Sequence, residues 1–293
     1  MVCWTDVLMR VGRLDEASSL LERLLVQTAG GTDRRLEGIT RADLGMLYIE
    51  QGRMDAATPC LEAALAIFTG EGRRLGQGSV VLMLGSLHDM QGVAAASRSC
   101  LESALASYRE VGNKPGTGDV LASLAILNRH QGRLDDARLL FDQALAICHE
   151  VDNQHHAGHV MCSLSALDLL QGRLDQVADH IDEAERVNRA RGYRLQEGVA
   201  LSMRGRIASP AAAGRRSAAG AAPRRGEALL RAIDNPFELA NLLCIVVRAE
   251  LAGTDPAAAR AASTEAEAIV RQIGATPGSG LMRGIALVRA LVL

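Results

Sequence analysis

The sequence predicts an all-α fold: a solenoid of about seven helix–turn–helix repeats followed by a closing helix. Three observations predict it. The first is a period of 40 residues, because "QGRLD" at Gln131 returns at Gln171. Gly12, Gly52, Gly92, Gly132 and Gly172 form one column, and Gly38, Gly78, Gly118, Gly158 and Gly198 a second. Leu44, Leu84, Leu124 and Leu164 form a third, and Ala64, Ala104, Ala144 and Ala184 a fourth. A fixed period of this length marks a repeat architecture. The second is the spacing within a row, where apolar residues step by three and four as one face of a helix does. The third is composition: 48% hydrophobic with only 2% aromatic, so the apolar mass is aliphatic and rich in helix-forming Ala and Leu.

The elements follow in order. The pattern opens partway through a first helix, Val2 to Arg10, as an irregular cap or a piece of a longer parent protein. Row four displays both helices of a hairpin. Gly118 to His130 carries Val120, Leu121, Leu124, Ile126 and Leu127. From Leu134 the apolar positions are Ala137, Leu140, Phe141, Ala144, Ile147, Cys148 and Val151. Turns are expected close to Gly52, Gly92, Gly132 and Gly172, where glycine permits the chain reversal. The glycines at 38, 78, 118, 158 and 198 fall near the start of each first helix, where a missing side chain lets the preceding helix approach. The Ala column does the same midway along each second helix. Pro59 interrupts the second helix that starts near Met54 and is expected within its first turn, where a missing N–H costs little. Such hairpins cannot bury their apolar faces alone; stacked neighbours supply the core.

Residues 1–206 read as the regular array, 207–226 as an irregular or degraded repeat, and 227–293 as final repeats with a C-terminal capping helix. "VDN" at Val151 reappears as "IDN" at Ile233, two periods plus two residues later. Asn235 to Leu251 and Pro256 to Ile273 restore a helix pair, and Gly280 to Leu293 forms the closing helix.

Charge narrows the function. The 32 basic and 34 acidic residues nearly cancel, which argues against a nucleic-acid surface and its concentrated basic field. Arg215-Arg216 and Arg224-Arg225 read as a solvated loop, and few aromatics are present to stack bases. Six cysteines without a CxxC pair read as reduced, mostly buried thiols. The N-terminus is not patterned as a secretory signal, and no apolar run is long enough for a membrane span. These features predict a cytoplasmic protein.

No catalytic motif is present: there is no GxxxxGK[ST], HExxH or GxSxG. "GQGSVVLMLG" follows no strand, so it is no dinucleotide site. In "CHEVDNQHHAGHVMC" the residues His155, His159 and Cys162 share a helix face at metal-ligand spacing. Solvated histidines, a groove-facing His159 and a small apolar cysteine account for the same residues. No metal, cofactor or enzyme activity is expected.

The rows resemble the tetratricopeptide repeat. The resemblance is carried by Leu44-Gly45 and Leu84-Gly85, Tyr48, the turn glycines, Ala57 and Ala137, then Ala64 and Ala144. Ala125 and Ser165 depart from the motif glycine, and Ser97 and Val177 from the motif alanine. The period exceeds the family's usual one, and the added residues are expected in the second helix and its following loop. Long-period rows with "GRLDEA" turns look like those of bacterial multidomain regulators. The resemblance implies a right-handed superhelix whose first helices line a concave groove for a peptide or partner helix. In this chain it places Ile39, Ala42 and Met46 there from one row, and Ser79, Leu82 and Ser86 from the next. Asp119, Ala122 and Ile126 follow, then His159, Cys162 and Ala166. None is Lys or Asn, so the carboxylate clamp of the family's chaperone-tail binders is absent. The expected function is a protein-interaction scaffold or regulatory module without catalysis; the alternative is a peptide-sensing receptor whose superhelix changes pitch on binding.

Overall fold

The computed structural model describes residues 14–28, 33–191, 194–207, 221–233, 235–252, 255–272 and 280–292. Val2 to Arg10, Gly12 and Arg215-Arg216 lie outside them, as do residues 208–220 of the irregular segment. The described residues are helical, with no strand among them. The chain divides into two compact units, Met1–Asn153 and Gln154–Leu293.

Unit 1 contains α1 (Leu14–Thr28), α2 (Arg34–Glu50), α3 (Met54–Gly70), α4 (Arg74–Met90), α5 (Ala94–Glu110), α6 (Lys114–His130) and α7 (Leu134–Glu150). Helices α2 to α7 each have 17 residues. The added length of the long period is therefore shared equally between first and second helices, and is not confined to the second helix and its loop. The cause lies in the connections, which are all built alike. Gly52, Gly92 and Gly132 stand in the left-handed region at φ 74, 78 and 77°, and the return connections use Gly72 and Gly112 at φ 66 and 67°. Two residues before each comes the last helical residue, and one residue after it the backbone N–H reaches back across the turn. Arg53 donates to the Tyr48 carbonyl at 2.7 Å, Arg73 to Phe68 at 2.9 Å and Arg133 to Asn128 at 2.9 Å. This cap satisfies carbonyls that the helix end would leave unpaired and stops each helix at the same place.

The glycines inside the helices are packing residues. A Cβ on Gly38 would lie 2.9 Å from Phe68 Cε1, and one on Gly118 would lie 3.1 Å from Ile147 Cγ2. Their column thus admits the following helix, the partner within the hairpin, and not the preceding one. The preceding helix is met by Gly76 and Gly116, where a Cβ would lie 2.7 Å from the Phe68 and Tyr108 rings. Phe68 is slotted between Gly38 and Gly76, and Tyr108 between Gly78 and Gly116. The motif glycines face the second helix: a Cβ on Gly45 or Gly85 would lie 2.6 or 2.7 Å from a Leu61 or Leu101 methyl. Where the motif departs, Ala125, Ser165, Ser97 and Val177 are all fully buried. Pro59 is the sixth residue of α3, just past the first turn, so its missing N–H leaves the Asp55 carbonyl without its helical donor.

The Ala column is buried throughout, at 0% exposure for Ala64, Ala104, Ala144 and Ala184. Ala144→Leu should therefore cost about 1–3 kcal/mol by overpacking. Asp136, exposed on α7, should tolerate alanine within about 0.5 kcal/mol. Urea melts of the two variants compare them directly; equal shifts would show that the column is not a packing position.

Unit 2 contains α8 (Gln154–Gln171), α9 (Leu174–Arg191), α10 (Arg194–Ile207), α11 (Ala221–Ala232), α12 (Pro236–Ala252), α13 (Pro256–Gln272) and α14 (Gly280–Val292). Leu230 of the short α11 comes within 2.9 Å of where a Cβ on Gly198 would stand, so α10 and α11 also close as a hairpin. The two-residue slip appears in the helix starts, Arg194 being followed by Pro236. A core of Leu230, Leu242, Leu243, Val247, Ala266 and Ile285 joins α11 to α14.

Candidate partner-binding face

In unit 1 the first helices α2, α4 and α6 touch one another directly, while each second helix packs on the first helices beside it. The first helices therefore form the inner side of the stack. On a helix each residue advances about 100°, so positions i, i+4, i+7 and i+11 share a narrow stripe. On α2 that stripe is Ile39, Asp43, Met46 and Glu50; on α4 it is Ser79, Met83, Ser86 and Met90; on α6 it is Asp119, Ser123, Ile126 and His130. All twelve reach solvent to some degree, and Met46 is 41% exposed.

The sequence-based set used the i+3 position instead, and there the structure differs. Ala42 and Ala122 are buried, because a step of three turns the side chain off the stripe and toward the neighbouring helix. Leu82 is half-buried and packs on the cluster around Leu101, Leu124 and Leu127. Ile39, Met46, Ser79, Ser86, Asp119 and Ile126 stand on the stripe. In unit 2, His159 is exposed whereas Cys162 and Ala166 are buried, so these two present no side chain to a partner. The stripe also holds Asp43, Glu50, Met83, Met90, Ser123 and His130, which the sequence-based set left out; choosing i+4 over i+3 from Ile39, Ser79 and Asp119 would have included Asp43, Met83 and Ser123.

The polar chemistry of the stripe is local. Tyr108, reaching from its slot in α5, shares a hydrogen bond of 2.8 Å with Ser79 Oγ. Asp119 lies close by, and burial pushes its carboxyl up to about 6. Burial, and after it the Asp119 charge, pushes the Cys148 thiol up to about 11. At the other end, His130 Nδ1 lies 2.9 Å from Asp89 Oδ2, linking α6 to α4. Arg41, beside the stripe, is held by Glu37 at 3.0 Å.

No group of three metal-ligating side chains occurs among the described residues. The His155 side chain lies outside them. His159 stacks on His156 with ring centroids 5.8 Å apart, while the buried Cys162 thiol is pushed up to about 12, chiefly by burial. Burial likewise raises Cys60, Cys100 and Cys244, so none of these is an activated thiolate. Arg225 donates to Glu197 at 2.9 Å, and Arg189 does so at 3.1 Å, which makes Arg225 part of a structural ion pair. Among the described residues no helix is long and apolar enough to cross a membrane.

Solved structures share this fold at low sequence identity. A Rap protein complexed with competence and sporulation factor is 12% identical with a TM-score of 0.78, covering 92% of this chain and 74% of its own. The Rap conjugation gene regulator of plasmid pLS20, in complex with the Phr* peptide, is 12% identical with a TM-score of 0.77, covering 92% and 72%. A signal-transduction ATPase with numerous domains from Pyrococcus horikoshii, bearing a tetratricopeptide repeat sensor, is 13% identical with a TM-score of 0.61, covering 97% and 43%. No curated protein matches the chain in sequence. The family model for the tetratricopeptide repeat matches residues 4–70 and 79–150. With its hairpins, capped turns and motif glycines in the matched register, the chain belongs to the tetratricopeptide repeat family.

Proposed function

We propose that this protein is a non-catalytic interaction or regulatory module that binds a peptide or partner helix on the inner side of its first helices. One observation carries the reading: three successive first helices leave the same four positions at least partly open, while Ala42 and Ala122 beside them are buried. An open stripe repeated from row to row is a continuous surface for an extended segment or an amphipathic helix. A second reading, a peptide-sensing receptor, draws on the likeness to the pLS20 regulator, whose structure holds a peptide. Free thiols at Cys60, Cys100, Cys148, Cys162 and Cys244 suit a reducing compartment, and we place the protein in the cytoplasm.

The test compares faces. A photo-crosslinking residue at Met46 should capture a partner from the source cell that the same residue at Leu139, exposed on α7, does not. For that partner, Met46→Ser and Ile126→Ser should each weaken binding by about 1–2 kcal/mol, read by calorimetric titration with unchanged helicity. Leu82 is left intact because it supports the core. Capture from Leu139 and not from Met46 would place the interface on the outer face instead.

A further inference from the structure

At the turn between α6 and α7 two arginines converge on one neutral oxygen. Arg98, on α5, places Nη2 2.7 Å from Asn128 Oδ1; Arg133 places Nη2 on the same oxygen at 2.6 Å and Nε at 3.2 Å. Gln131 Oε1 also accepts from both, from Arg98 Nη2 at 3.1 Å and from Arg133 Nη2. The cluster is anchored from within. Asn128 is only 6% exposed, and its backbone carbonyl takes the Arg133 N–H at 2.9 Å in the turn built on Gly132. Solvent still reaches the cluster, because Gln131 and Arg133 are exposed and the Arg98 side chain is 32% exposed. Among the described residues, the carboxylate within ion-pair reach is Glu102, whose Oε1 lies 3.7 Å from Arg98 Nη1 and whose side chain is 61% exposed. Two guanidinium groups sharing the same amide oxygens repel each other, so the cluster concentrates positive charge at one point.

The repeat itself supplies a comparison. One period after Arg98, Asn128 and Arg133 the sequence has Arg138, Asp168 and Arg173. Both arginines recur there, but the position between them is an acid, fully buried, with His180 Nδ1 3.0 Å from its carboxylate. One period earlier stand Thr58, His88 and Val93, without either arginine. Row four therefore keeps the two cations and replaces the carboxylate by its neutral amide counterpart. We propose that Arg98 and Arg133, with Asn128 and Gln131, bind a tetrahedral oxyanion of the phosphate-monoester class, free or carried on a partner's side chain. The planar guanidinium fork matches phosphate oxygens two at a time. A phosphate monoester offers enough oxygens and charge for two forks, whereas a carboxylate offers one charge and is satisfied by one. The Asn128 and Gln131 amides each carry an NH2 as well as a carbonyl, so on turning over they donate to the anion instead of competing with it. The site lies at the turn end of α6 and does not rest on the inner stripe.

Calorimetric titration of the whole chain with inorganic phosphate, at low salt and above neutral pH, should give saturable binding. Arg98→Gln and Arg133→Gln should each weaken it by at least about tenfold. Asn128→Asp is the sharper variant, because it keeps both arginines and sets the next row's carboxylate between them. It too should bind phosphate at least about tenfold more weakly, with melting and helicity confirming the fold. Acetate should bind at least about tenfold more weakly than phosphate to the wild type. A short alanine peptide with one central phosphoserine distinguishes the sources. Binding tighter than that of inorganic phosphate supports the site and assigns it to a phosphorylated partner, and binding no tighter supports it as a site for the free ion. The affinity of that peptide should fall as pH drops through about 6, where its phosphate regains a proton. No saturable phosphate binding by the wild type would overturn the proposal. So would phosphate binding that is unchanged in Asn128→Asp, or acetate binding as tightly as phosphate.

Discussion

Phe68→Ala should lower stability by about 3–5 kcal/mol, the cost of emptying a fully packed aromatic site. The ring stands between α2 and α4, with Gly38 and Gly76 on either side and no Cβ from either to fill the space it leaves. The expected result has a second part that a generic cavity would not give. A Cβ on Gly76 lies 2.7 Å from Phe68 Cγ and 2.8 Å from its Cδ2, closer than real carbon contacts allow, so Gly76→Ala alone should destabilise. In the Phe68→Ala background the same methyl enters vacated space, and Gly76→Ala should stabilise. Such a reversal of sign is the signature of residues sharing one packing site. Denaturant melts of the four-member cycle measure it. Additive effects would show that the ring and the glycine do not meet.

The second large effect is tied to pH. The Asp119 carboxyl is pushed from 3.8 to about 6 by burial. The native protein therefore holds this proton more tightly than the unfolded chain does. The stability associated with the neutral form is fully present below about pH 4 and is lost as pH rises through about 6. The difference between 3.8 and about 6 corresponds to about 3 kcal/mol at about 1.4 kcal/mol per unit. Asp119→Asn keeps the shape and removes the charge. It should stabilise the protein by up to about 3 kcal/mol at pH 8 and change little at pH 4. Tyr108 and Cys148, which sense Asp119, are themselves raised and stay neutral across this window, so the wild-type minus variant difference isolates the carboxyl. A pH-independent difference would show that Asp119 is ionised and solvated in the fold. A carboxylate that weakens the fold at neutral pH sits where binding sites often keep such groups, at the expense of stability.

How far the sequence disclosed this structure depends on which physical signal each feature leaves. The turns at Gly52, Gly92 and Gly132 were legible because a left-handed backbone admits few residues besides glycine. The hairpins were legible from the apolar spacing of Leu134 to Val151. The direction in which the Gly38 column opens was not: a missing side chain announces close approach but not which neighbour approaches. The aromatic slots left a faint trace, Phe68 and Tyr108 one period apart with Gly76 and Gly116 eight residues after each, yet rows four and five carry Cys148 and Asn188 there and blur the column. On the proposed partner face, Ile39 and Met46 stand on the open stripe, but the sequence reading chose Ala42 where the stripe has Asp43. Both lie within one turn of the stripe, and only the position of the neighbouring helix decides which one is covered. The burial of Asp119 leaves no mark in the sequence.

The identical connections carry a consequence for the length of the molecule. Leu61 meets Gly45 as Leu101 meets Gly85, and Phe68 meets Gly76 as Tyr108 meets Gly116. The surface one row offers its successor is thus the surface it accepted from its predecessor, and the rows are interchangeable modules. Excising residues 74–113 would join Arg73 to Lys114 and set Phe68 on Gly116, keeping the glycine turn while Arg73 takes the place of the Asn113 cap on α6. A cut a few residues longer or shorter would rotate all later helices out of phase. Length in unit 1 is therefore quantised: the binding stripe can be shortened or extended by whole rows, changing how many turns of a partner it reads without rebuilding the contacts that hold it.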